Sequence, residues 1–73
     1  MYQRLMRREG GLTYSDDECR QLRELLATTP GVGHIKLIER HPRGGYSVGF
    51  DFSNDMIAHF ISHLDKHGWI AVI

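Results

Sequence analysis

The residues of this chain that could do chemistry are its histidines, a short acidic run and one cysteine. His59, His63 and His67 recur every fourth residue. On a helix, side chains four apart share a face, so two of these imidazoles could hold a metal ion together. The third would not reach it, because His59 and His67 lie ~12 Å apart along a straight helix. No Glu follows the first His, so the metalloprotease arrangement of two histidines around a general base is missing. The spacing predicts a polar helix flank and no metal. Asp16, Asp17 and Glu18 stand where a helix begins and are expected to be used in capping it. Asp51 is an isolated carboxylate, and alone it makes no acid–base pair. Cys19 is the single cysteine, so it has no disulfide partner within the chain, and on an apolar helix stripe it reads as a small core residue. No nucleophile stands beside a credible base. Neither an enzyme nor a cofactor is expected.

Arg4, Arg7 and Arg8, with Arg40, His41 and Arg43 further on, are the groups that could contact phosphates. Nine Lys and Arg balance nine Asp and Glu, for a formal net charge of zero. Bulk attraction to nucleic acid is therefore absent, and binding there is expected to be weak and nonspecific. The stretch Arg43-Gly-Gly-Tyr-Ser-Val-Gly-Phe50 resembles the octamer of the RNA-recognition motif at Arg43, Gly44, Val48 and Phe50. That resemblance implies bases stacked on aromatics of an open sheet face, whereas Gly45, Ser47 and Gly49 occupy that face here. No RNA-binding residue follows from it. Pro30-Gly31-Val32-Gly33 resembles the helix-to-strand loop of small ligand-binding modules such as the ACT domain, which implies a ligand-sensing dimer. This loop precedes a strand, so it is not a phosphate cradle at a helix start.

The elements that must position these groups are written in the periodicities. Ser15 followed by Glu18 is a capping box, and Tyr14 before it could staple onto Cys19. Cys19, Leu22, Leu25 and Leu26 then make one apolar helix stripe, ended by Thr28, Thr29, Pro30 and Gly31. His34 to Arg40 reads as a strand with Ile35 and Leu37 on one face, and residues 41–44 turn it into a hairpin. In the strand 45–52, Tyr46, Val48, Phe50 and Phe52 fall on one face and Gly45, Ser47, Gly49 and Asp51 on the other. Ser53 is placed to cap a second helix, with Phe52 and Ile57 as a staple and Ile57, Phe60, Ile61 and Leu64 as its buried stripe. Gly68 follows Lys66 and His67 as a natural end. Trp69 to Ile73 is a last strand without a polar residue, and Tyr2 to Arg7 a candidate first strand, residues 1–11 being otherwise a flexible arm.

This order predicts an α+β fold: a two-layer sandwich, (β)αββαβ, with two helices on one face of a three- or four-stranded, mainly antiparallel sheet. It resembles the ferredoxin-like architecture or a permuted variant of it. Two features favour permutation or a covered edge. The first strand, which should be central, carries Gln3, Arg4 and Arg7; the last, which should be an edge, is apolar on both faces.

Seventy-three residues suffice for one domain near the lower size limit for folding alone, which makes association an expected device. No stretch of ~20 apolar residues predicts a membrane span, and the basic opening segment lacks the apolar run of a secretory signal, so a cytoplasmic protein is expected. The function expected is that of a non-enzymatic interaction module, an adaptor, regulator or inhibitor that binds another protein or itself, with a homodimer favoured. Its surface would comprise Ile38, Ser47, Gly49, Asp51, Trp69, Ala71 and Ile73 on a flat sheet face or edge, where glycines let another backbone approach. Otherwise the opening segment would cover that face with Tyr2 and Leu5. The alternatives are a nucleic-acid accessory protein using Arg4, Arg7, Arg8 and the hairpin tip, and an ACT-like sensor.

Overall fold

Capping chemistry starts the first helix where the sequence places it. In the computed structural model, which describes residues 1–72, Ser15 is extended and its hydroxyl accepts from the Glu18 amide at 3.2 Å. Helix α1 then runs Asp16–Ala27 and buries Leu22 and Leu26 fully. It ends where the Thr28 and Thr29 hydroxyls both donate to the Leu25 carbonyl. Gly31, at φ +85°, turns the chain into a strand beneath Met56 and Phe52.

Across the described residues the order is β1 (Tyr2–Arg7), α1, β2 (Val32–Arg40), β3 (Tyr46–Phe52), a 3-10 turn (Asn54–Met56), α2 (Ile57–Lys66) and β4 (Trp69–Val72). The four strands form one antiparallel sheet in the order β2-β3-β1-β4. The first strand is therefore central and the last is an edge. The sheet is not permuted. The polar residues of β1 are accommodated by their own contacts: Gln3 Nε2 donates to the Val72 carbonyl at 2.8 Å, and Arg4 donates to the Gly44 and Arg43 carbonyls at 2.9 and 2.6 Å. Only Leu5 of this strand enters the core.

Between sheet and helices lie Leu5, Leu22, Leu26, Tyr46, Val48, Phe50, Phe60, Leu64 and Trp69, all buried. The period-2 reading of β3 holds through Tyr46, Val48 and Phe50, and Phe50, Phe52 and Phe60 form a tilted and edge-on aromatic cluster with centroids 5.0–5.9 Å apart.

Two local expectations are corrected, in β2 and at α2. In β2, register shifts on either side of Ile35 break the alternation. Each extra residue in a bulge moves the following side chains to the other face. Ile35 and Ile38 both face the helices, opposite Phe50 and Val48, while Leu37 sits opposite Gly49 on the open face. At α2, Ser53 makes no side-chain cap bond; a 3-10 turn intervenes and the helix begins at Ile57. That offset rotates the helix so that Phe60 and Leu64 are buried, while Ile57 and Ile61 are 40% and 46% exposed. Phe52 accordingly meets Phe60. At α1, the Tyr14 ring lies against Tyr46, centroids 5.4 Å apart, with the Arg40 guanidinium 4.1 Å over its face.

Candidate functional site

The histidines do not converge. His63 and His67 rings are 4.7 Å apart along α2, His59 and His67 are exposed, and the Nε2 of His63 is buried without a hydrogen bond. Among the described residues no three His, Cys, Asp or Glu come together to hold a metal ion. The acidic run is engaged at the start of α1. Glu18 is buried; its carboxylate accepts from the Thr13 and Tyr14 amides at 3.2 and 2.9 Å and from the Tyr46 hydroxyl at 2.8 Å.

This cluster sets two titrations. Burial by itself raises the pKa of Glu18, but the hydrogen bonds from Tyr46, Thr13 and Tyr14 together outweigh it and hold the carboxyl below its ordinary value. Burial, then the hydrogen bond to anionic Glu18, pushes the Tyr46 phenol above its ordinary value. A depressed carboxyl contributes stability above its unfolded pKa and loses it as pH falls through the folded one. A raised phenol contributes below its unfolded pKa and loses it as pH rises beyond that point. Replacing Glu18 with Gln should cost about 1.5–3 kcal/mol at neutral pH, the usual range for hydrogen bonds to a charged group. Urea titrations across the acid range check it: the gap between wild type and Glu18→Gln should close as pH falls below the ordinary glutamate range. A gap independent of pH would show that the carboxylate charge is not what the cluster uses.

The arginines are likewise occupied. Arg4 spans to the hairpin carbonyls, Arg40 lies over Tyr14, Arg7 sits 5.3 Å over the Trp69 ring, and Arg8 pairs with Asp65 at 3.3 Å. Arg43 is exposed at the hairpin tip, its amide donating to His41 Nδ1 at 3.0 Å. Arg4, His41 and Arg43 border one shallow hollow with Val72; Arg7 and Arg8 border another beside Glu9, Asp65 and Lys66.

The predicted contact surface divides between the two faces of the sheet. Ser47, Gly49 and Asp51 lie on the open face, where Asp51 pairs with Lys36 at 3.2 Å. Gly49 is not bare there: a Cβ on it would meet the Tyr2 ring at 2.8 Å and Leu37 at 3.3 Å. Tyr2, itself 72% exposed, thus lays its ring over the glycine backbone, while Leu5 of the same strand points to the core. Ile38, Trp69 and Ala71 belong to the helix-covered face, by the bulge in β2 and by the pairing of Trp69 with Arg7 and of Ala71 with Leu5. Ile73 lies outside the described residues.

The feature that sequence reasoning missed is a groove along the β4 edge. Ala58, Ile61, Ser62 and Asp65 of α2 form one wall, Trp69, Ile70 and Ala71 of β4 the other, around about 410 Å³. Ile70 is 42% exposed and points to the open face beside Met6. The signal was present in two places: the spacing Ala58, Ile61, Ser62, Asp65 is a helix stripe of its own, and β4 carries no charge. The opposite edge, β2, differs in kind, with bulges and with Lys36, Glu39 and Arg40. Bulges and charges are the devices by which edge strands avoid pairing. Among the described residues no helix is long and apolar enough to cross a membrane. Comparison with protein-family models, curated proteins and solved structures gave no match to this chain.

Proposed function

We propose that this protein is a small non-enzymatic interaction module, built on a ferredoxin-like sandwich, that binds a partner strand along β4. One observation carries the reading: β4 is an uncharged, unbulged edge beside an apolar groove, while the other edge of the same sheet is blunted. An extended segment added there gains main-chain hydrogen bonds from the strand and side-chain contacts from Ile61 and Ile70. The open face contributes less than its glycines suggest, because Tyr2 and Leu37 already lie against Gly49. The arginines favour the phosphate-binding alternative little, since four of them are committed to contacts within the protein.

Amide hydrogen exchange tests this directly. In the free protein the Trp69 and Ala71 amides should exchange rapidly. On association, in isotope-labelled protein added to host extract or concentrated alone, both should become protected while the β2 edge stays unchanged. Protection confined to β2 or to α1 would remove the basis for an edge-binding role.

A further inference from the structure

We infer that the strand received at this edge belongs to a second copy of the chain, its β4 running antiparallel to the first about a two-fold axis at Ile70. This deepens the interaction reading above and rests on it.

The backbone phase of β4 supplies the first part of the argument. On one side of the central strand, Met1 and Phe50 exchange both main-chain bonds, at 2.9 and 2.7 Å. On the other side the Arg8 amide donates to the Gly68 carbonyl at 2.8 Å. With Met6 opposite Ile70 and Arg4 opposite Val72, the alternation of an antiparallel ladder turns the peptide groups of Gly68, Ile70 and Val72 inward. Those of Trp69 and Ala71 point outward. The edge therefore offers two donors and two acceptors, two residues apart, with Ile70 between them.

Self-pairing requires that residue i meet j while j meets i. Trp69 opposite the second copy's Ala71, and Ala71 opposite its Trp69, satisfies this and exchanges four hydrogen bonds. It is the two-fold register that uses both outward-facing residues of the described strand. Ile70 then falls on the axis as a non-hydrogen-bonded pair, the arrangement with the closer Cα separation of ~4.5 Å. The two isoleucines meet on the open face. On the helix side, the axis brings the Ala58–Ile61–Ser62 stripe of each α2 toward its counterpart, and it keeps the two Asp65 side chains at opposite ends.

The second part is closure. A head-to-tail contact between β4 of one copy and β2 of the next would propagate as a filament. The bulges of β2, with Lys36, Glu39 and Arg40, oppose that contact. Pairing of β4 with β4 consumes the two unblunted edges and stops at a dimer, leaving one continuous eight-stranded sheet with all four helices on one side.

Sedimentation velocity over a concentration series, with circular dichroism to confirm folding, tests the inference on three chains. Wild type should pass from monomer to dimer. Ile70→Lys places two ammonium groups opposite each other at an exposed position, and Ala71→Pro removes an N–H that no bond within the protomer uses. Each should weaken the dimer at least about tenfold, whereas Glu39→Ala on β2 should not change it. Should Ala71→Pro fail to fold, Ile70→Lys decides alone. A wild-type chain that remains monomeric up to ~1 mM, or a dimer that Ile70→Lys leaves intact, overturns self-pairing. If in the monomeric case host extract still protects the Trp69 and Ala71 amides, edge binding stands and only the identity of the partner falls; if it does not, both fall.

Discussion

Replacing Gly45 with alanine should destabilise the protein by about 2–5 kcal/mol, a large part of what a domain of this size has to lose. Two effects add at this position. Gly45 sits at φ +81°, where a side chain costs roughly 1–2 kcal/mol. A Cβ there would also collide with the Leu5 carbonyl oxygen and come within 2.8 Å of Met6 Cγ, so the central strand would have to move. The Gly45 amide is held as well, donating to the Tyr14 hydroxyl at 2.8 Å, which ties the hairpin to the segment before α1. Gly10→Ala is the control: φ is +79° and nothing lies within 4 Å, so only the conformational penalty remains. Urea midpoints for the two variants separate strain from collision. Equal losses would mean that β1 does not approach the hairpin as closely as described.

The second large effect is expected at Phe50. Its side chain is fully buried, opposite Ile35 in the sheet and against Phe52 and Phe60. Truncation to alanine should cost roughly 3–5 kcal/mol, the transfer free energy of the ring plus the cavity it leaves. Ser47→Ala, on the other face of the same strand, should lie within about 0.5 kcal/mol of wild type. Thermal or urea unfolding of the pair reads the alternation of β3 directly; similar losses in both would contradict it.

Reading of the chain succeeds where one local rule decides. The alternation of Tyr46, Val48 and Phe50, the Ser15 and Glu18 cap, and Gly68 beyond the second helix, at φ +82°, each depend on residues close in sequence. It fails where a single inserted residue changes the phase of everything after it. The bulges around Ile35 carry Ile38 to the core face, and the 3-10 turn before Ile57 rotates α2 until Ile61 borders a groove. Nothing in the residue types of β2 marks those bulges. Long-range contacts are harder to read: Tyr2 over Gly49 is expected only as an alternative, and Arg4 against the hairpin carbonyls not at all, both joining residues more than half the chain apart. The expectation about the edges came from faces, whereas the decisive property of β4 is the direction of its peptide groups, which only the register of β1 reveals.

That central position of β1 also dictates an order of events in folding. The β2–β3 hairpin closes over a few residues and can form early, since short closures are the least unfavourable. Leu5 must then find Tyr46, and finally Ala71. During synthesis the central strand therefore waits, one side unpaired, until the last strand has left the ribosome. Through that interval its outward peptide groups form an edge of the kind that captures other chains. Docking of β4 removes that hazard from the middle of the sheet and moves it to the margin. Docking of β4 is thus the event that creates the surface proposed for association, and before it the edge exposed by the sheet is the one on β1.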